Sequence, residues 1–195
     1  MVHITIGSGK MEQINSINTN SLSNPWCIKM SKVEGSICSK CYANRLLAYR
    51  KSLESKLEFN SILLSETVLP MKDLPRINAL YFRFNSFGEL INDNHLANLL
   101  NICRANPRTT FTLWSKRIGM IRGIQDKPKN LILIYSNPNL NRRLDVPKGF
   151  DKVFSVFNAK YIRENSLEVN CKKECMTCLK CYTFNNITEI REGLK

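Results

Sequence analysis

The chain has 195 residues, 43% of them hydrophobic, and carries 29 Lys+Arg against 16 Asp+Glu, a formal charge of +13. That length buries a core of its own, which excludes the short scaffolds that fold only around a metal ion or a disulfide. No apolar segment follows Met1 and no apolar run reaches the roughly eighteen residues of a membrane span, so the sequence predicts a non-secreted protein without a membrane anchor, at home among reduced thiols in a cytoplasm.

The positive charge is spread along the chain: 13 basic against 8 acidic residues up to Trp114, and 16 against 8 beyond it. Such an excess suits an anionic partner, either nucleic acid or an acidic redox protein, and equally suits plain solubility. It says nothing of oligomeric state.

His3 lies in a short apparent strand. The Gly7-Ser8-Gly9-Lys10 stretch lacks the G-x-x-x-x-G-K-[ST] spacing of a phosphate loop and reads as a turn. Residues 42–68 predict one or two helices, with Leu46, Tyr49, Leu53 and Leu57 on one face. Four β-rich runs follow, at 78–84, 109–114, 131–135 and 152–157, separated by segments long enough for helical crossovers. The clearest crossover is 93–103, where Leu96, Leu99, Leu100 and Cys103 recur at helical spacing before Asn106-Pro107 stops it. Cys103 falls on that apolar stripe and reads as a core residue. His95 and His3 have no metal-ligand companion. Strand–helix alternation predicts an α/β fold, a single domain over 1–195 with a mostly parallel sheet in βα units, either a partial βα barrel or an open sheet.

In parallel α/β folds ligands bind where the strands end. Arg83, Asn85 and Ser86 follow the first run, Ser115, Lys116 and Arg117 the second, Ser136 and Asn137 the third, and Asn158 and Lys160 the fourth. Arg83, Ser115 and Ser136 are the candidate cofactor-binding residues of such a strand-end pocket.

The chemistry-bearing feature is the cysteines. Seven of eight lie in two groups: Cys27, Cys38 and Cys41 near one end, and Cys171, Cys175, Cys178 and Cys181 near the other. The second group reads C-x3-C-x2-C-x2-C, too short a run to close two good disulfides but well made to wrap an iron–sulfur cluster or a zinc ion. Cys175, Cys178 and Cys181 have the C-x2-C-x2-C spacing of bacterial-type ferredoxin loops, and Cys171, Cys175 and Cys178 the C-x3-C-x2-C spacing of radical S-adenosylmethionine enzymes. Zinc would use two separated knuckles, which Cys38/Cys41 and Cys178/Cys181 could supply. A [4Fe–4S] cluster is the expected cofactor and zinc the alternative, with all seven cysteines as candidate metal ligands. The sequence leaves open a closed four-cysteine site beside a second three-cysteine site, or one site spanning both groups. The terminal run begins soon enough after the fourth strand to reach the strand-end pocket.

The order C…C-x-x-C-Y-A, a long helix, the strand end Arg83-Phe84-Asn85-Ser86-Phe87-Gly88-Glu89, then Trp114-Ser115-Lys116-Arg117, a strand ending in Ser136 and a terminal cysteine cluster resembles the phage gene product 88 family over roughly residues 20–185. The chain departs from the family pattern at Asn85-Ser86-Phe87, with Glu89 standing in for an acidic residue. The resemblance implies a bacteriophage protein acting in the host cell, an α/β fold similar to part of a radical S-adenosylmethionine barrel, and cysteines that ligate iron–sulfur. No G-G pair occurs anywhere, so the glycine-rich segment such an enzyme needs is missing. Three functions remain: a cluster-binding redox, electron-transfer or regulatory protein; a radical-type enzyme; or a nucleic-acid-binding protein with a structural cluster or zinc.

Overall fold

A computed structural model describes residues 1–194. A seven-stranded sheet runs in sequence order from β1 (Ile4–Thr5) through β2 (Ser16–Ile17), β3 (Tyr81–Phe84), β4 (Thr110–Ser115), β5 (Leu131–Ser136) and β6 (Lys152–Phe157) to β7 (Glu189–Gly193). β1 pairs antiparallel with β2, and every later pair is parallel. Of the two expected forms the sheet is the open one, with β1 and β7 as its edges. Strands taken in sequence order move across the sheet in one direction, and right-handed crossovers then place their helices on one side.

Side-chain alternation divides the sheet cleanly. Phe82, Phe84, Phe111, Leu113, Leu131, Leu133 and Val153 bury one face against Leu64, Leu96, Leu99, Ile102, Cys103 and Ile121. These partners come from α3 (Lys51–Glu66), α4 (Asp93–Ala105) and α5 (Ile118–Arg122). Cross-strand register stacks this face, with Phe111 opposite Leu131 and Leu113 opposite Leu133. Trp114, Ile132, Ile134, Phe154 and Ile190 form the other face, and there the cover is Cys171, Cys181 and Ile187. The cysteine-rich segment thus takes the place that a second helical layer occupies in a doubly wound fold.

Cys103 is fully buried in the helical-side core, as its place on the stripe predicted. The predicted face of the earlier helices is corrected. The region forms α2 (Tyr42–Tyr49) and α3, parted at Arg50 (φ −101°, ψ 72°), and the break resets the helical phase. Ala43, Leu47, Leu57 and Leu64 are the buried apolar residues, while Tyr49 is 88% exposed. The β5–β6 link also differs from expectation: residues 137–151 carry no helix, because Pro138 and Pro147 each remove a backbone donor and Gly149 sits at φ +96°.

α4 is capped by Asn92, whose side chain accepts from the His95 amide at 3.0 Å. His95 is fully buried; its Nδ1 accepts from the Ile91 amide at 3.2 Å, and a proton placed there would break that bond. Burial lowers its pKa to about 4, against 6.5 for an ordinary histidine. The unfolded chain binds this proton more readily, so the stability His95 provides is complete above pH 6.5 and is lost as pH falls toward 4, amounting to about 3 kcal/mol. Urea midpoints measured across that window should fall with acidity, and His95→Gln should flatten the fall.

Candidate functional site

The N-terminal thiols are set by three local caps. Asn24 accepts from the amides of Trp26 (2.9 Å) and Cys27 (3.2 Å), starting α1 (Pro25–Ser31) with Pro25 in its first turn. Ser36 accepts from the Cys38 amide at 3.1 Å and opens a 3₁₀ turn, Ile37–Lys40. Cys41 closes that turn onto the Cys38 carbonyl at 3.2 Å and precedes α2. The loop docks on the strand ends. Ile37 N–H donates to the Pro138 carbonyl (2.8 Å) just after β5, and the Asn24 side-chain Nδ2 donates to the Glu89 backbone carbonyl (2.8 Å) after β3.

Glu89 is the pivot of this edge. Its buried carboxylate accepts from the Ser115 hydroxyl (2.7 Å), the Leu90 amide (2.8 Å) and the Lys116 amide (2.7 Å). Cys27 lies close by; burial raises its thiol pKa, the Glu89 charge adds to the rise, and Lys116 opposes it. Cys38 and Cys41 also act on Cys27, so the three thiols form one neighbourhood at the C-terminal edge of β3–β5.

The C-terminal thiols lie elsewhere. Asn170 clips their loop to β7, donating to the Glu189 carbonyl (3.0 Å) and accepting from the Arg191 amide (2.8 Å), while the Cys171 amide donates to the Arg191 carbonyl (3.0 Å). A single helical turn, Cys175–Cys178, ends at Leu179 in the left-handed region (φ +49°), which turns the chain so that Cys181 faces the sheet. Lys152, the first residue of β6, is 2% exposed, and its ammonium donates to the Lys180 carbonyl (2.6 Å), the Thr183 carbonyl (3.1 Å) and Asn185 Oδ1 (2.8 Å). From the other side Lys10 Nζ donates to the Cys171 carbonyl and to its Sγ, both at 3.1 Å, and pairs with Glu192 at 2.5 Å. The run lies over the face of β4–β7, where Lys152 and Asn170 tie it to β6 and β7, and at its start Lys10 links Cys171 to Glu192 near the end of β7.

Burial pushes Cys181 up to about 12, with the charges of Cys171, Cys175 and Cys178 also bearing on it and Arg83 opposing. Burial likewise raises Cys171, against Lys10, and Cys175, against Arg83. Without metal these thiols hold their protons, so loading them with metal must release protons. Among the described residues no three Cys, His, Asp or Glu side chains stand close enough together to hold one metal ion. The donors nonetheless fit a thiolate-held group in kind: all sulfur, half-buried against apolar side chains, with Lys10 and Arg83 offsetting negative charge.

The gene product 88 family model matches residues 23–192, a span that holds both thiol groups and the whole of β3–β6. The chain belongs to the gene product 88 family. That membership is consistent with a bacteriophage protein. No curated protein and no solved structure is significantly similar to it. Among the described residues no helix is long and apolar enough to cross a membrane.

Of the strand-end candidates in this gene product 88 protein, Ser115 is fully buried and its hydroxyl is committed to Glu89 while accepting from the Arg117 amide at 3.0 Å. Ser136 ends β5, 8% exposed. Arg83 lies on the cysteine-covered face, its guanidinium 4.1 Å from the centre of the Trp114 ring. Sequence reading missed Lys10 and Lys152, because a lysine's partners across the fold leave no local pattern.

Proposed function

We propose that this gene product 88 protein is an iron–sulfur protein in which Cys171, Cys175, Cys178 and Cys181 hold a [4Fe–4S] cluster against the open face of the sheet, serving electron transfer or a regulatory redox role in the host cytoplasm. The observation that carries this reading is the packing of Cys171 and Cys181 on Trp114, Phe154 and Ile190 while Lys10 reaches the Cys171 sulfur. A bound cluster supplies one-electron chemistry, at a potential set by burial and by hydrogen bonds to its sulfurs. The chain's residues do the rest. Lys10 offsets thiolate charge, Lys152 holds the loop down, and the apolar face excludes water. Cys27, Cys38 and Cys41 constitute a second, three-thiol site at the strand ends, the neighbourhood in which Glu89 and Lys116 bear on Cys27. The basic surface offers an acidic redox protein or a nucleic acid a place to dock.

Anaerobically purified protein is expected to be brown, with broad visible absorption and acid-labile sulfide matching its iron. Cys178→Ala should remove the C-terminal share of that iron and Cys41→Ala the remainder. Colourless protein that contains zinc without sulfide overturns the iron–sulfur reading in favour of zinc.

A further inference from the structure

The face beneath the cysteine loop holds a group of polar atoms that the fold leaves unpaired. Arg83 and Thr112 are direct partners across β3 and β4, Trp114 is two residues further on the same face, and Asn85 follows Arg83. Among the described residues Arg83 Nε, Thr112 Oγ1, Trp114 Nε1 and Asn85 Oδ1 are all buried without a hydrogen-bond partner. The side chains are nearly or wholly enclosed: Thr112 is 0%, Asn85 6% and Trp114 8% exposed. The Tyr182 hydroxyl, buried beside Arg83, is likewise without a hydrogen bond, and a buried polar group is costly when no partner meets it.

Most of these groups are donors, Asn85 Oδ1 being the exception. Arg83 Nε–H and Trp114 Nε1–H are donors, and the Thr112 hydroxyl can donate. Arg83 is a permanent cation, and among the described residues no carboxylate pairs with it; Nη1 instead meets the weak acceptor Met11 Sδ at 3.4 Å. Nε makes no hydrogen bond of good geometry, although the buried Tyr182 hydroxyl lies beside the guanidinium, and the edge formed by Nε and Nη2, which can grip two oxygens of one oxyanion, meets no carboxylate. Stacking on Trp114 holds the guanidinium plane in place. Half-buried Arg83 is reachable from solvent, and the Gly9–Met11 turn that carries Lys10 lies over it.

We infer that Arg83, Thr112 and Trp114 form a binding site for a small oxyanion, the carboxylate or phosphate group of a ligand gripped by the Arg83 fork with Thr112 and Trp114 donating beside it. This goes beyond the cluster proposal but shares Arg83 with it, since that guanidinium also bears on Cys175 and Cys181, so the Thr112 variant is the one that tests the oxyanion site apart from the cluster.

The test uses anaerobically purified full-length protein titrated with inorganic phosphate and, separately, with succinate, read by Trp fluorescence and by melting temperature. At least one probe is expected to give a saturable change, because Trp114 lies under the guanidinium. Arg83→Met should abolish it, and Arg83→Lys, which keeps the charge but loses the fork, should weaken it by about tenfold or more. Thr112→Val preserves shape and should also weaken it, which keeps the inference testable if Arg83→Met fails to fold. Phosphate alone binding identifies a phosphate ligand, succinate alone a carboxylate. No saturable response to either probe, or equal binding by wild type and by folded Arg83 and Thr112 variants, overturns the site. Iron and sulfide content measured on the same samples reports separately on the cluster.

Discussion

Lys152→Met is expected to destabilise the protein by about 4 kcal/mol, nearly all of it through the cysteine loop. Methionine keeps the length and apolar stem of lysine, so packing at the start of β6 is preserved and the change isolates the ammonium. That ammonium serves three acceptors, the carbonyls of Lys180 and Thr183 and Asn185 Oδ1. A hydrogen bond to a charged group contributes about 1.5–3 kcal/mol net, and buried acceptors left unpaired cost more than the bonds alone. Denaturant midpoints report the total. Amide exchange reports its location: protection should fall across residues 171–187 and hold in α4. Unchanged protection in the loop would mean that apolar packing, not Lys152, holds the segment on the sheet.

Glu89→Ala should cost a similar amount, about 3–4 kcal/mol, at the other thiol group. Three donors, the Ser115 hydroxyl and the Leu90 and Lys116 amides, would be stranded inside the protein. The loop of Cys27, Cys38 and Cys41 rests on the same junction through Asn24 and the Glu89 carbonyl, so it should loosen with it. Limited proteolysis should therefore cut within residues 24–41 sooner in the variant, while residues 171–187 keep wild-type resistance. Equal loosening of both segments would show that the two groups are not separately supported.

The central strands were legible because they are buried on both faces and read as apolar runs; β5, Leu131–Ser136, is buried at every position. β2 has two residues, too few for any periodicity to register, and Ser16 and Ile17 are carried into the sheet by their pairing with Arg83 and Phe84. β7 reads Glu-Ile-Arg-Glu-Gly, an edge strand with a single buried residue, and its charges disguise it. The helical stripe misled at Tyr49 because a break of one residue, Arg50, shifts the phase that a continuous helix would keep. Ligand spacing made the seven candidate cysteines visible. Their division into a strand-end group and a face-covering group was not visible, because it depends on Lys152, Asn170 and Glu89 meeting partners far along the chain.

The contact between Lys10 and the Cys171–Glu192 pair also bears on how the chain is made. It joins residues 161 and 182 positions apart, with the whole of β2–β6 between them. Parallel pairing in sequence order lets β2 through β6 assemble progressively as they emerge, each strand adding to its predecessor. The turn bearing Lys10 has no such option. It is made well before its partners, with β2–β6 between them in the chain, so this junction closes only after those strands have emerged. Until residues 171–187 dock, the apolar face of β4–β6 is uncovered, so that interval is the one in which self-association is most favoured.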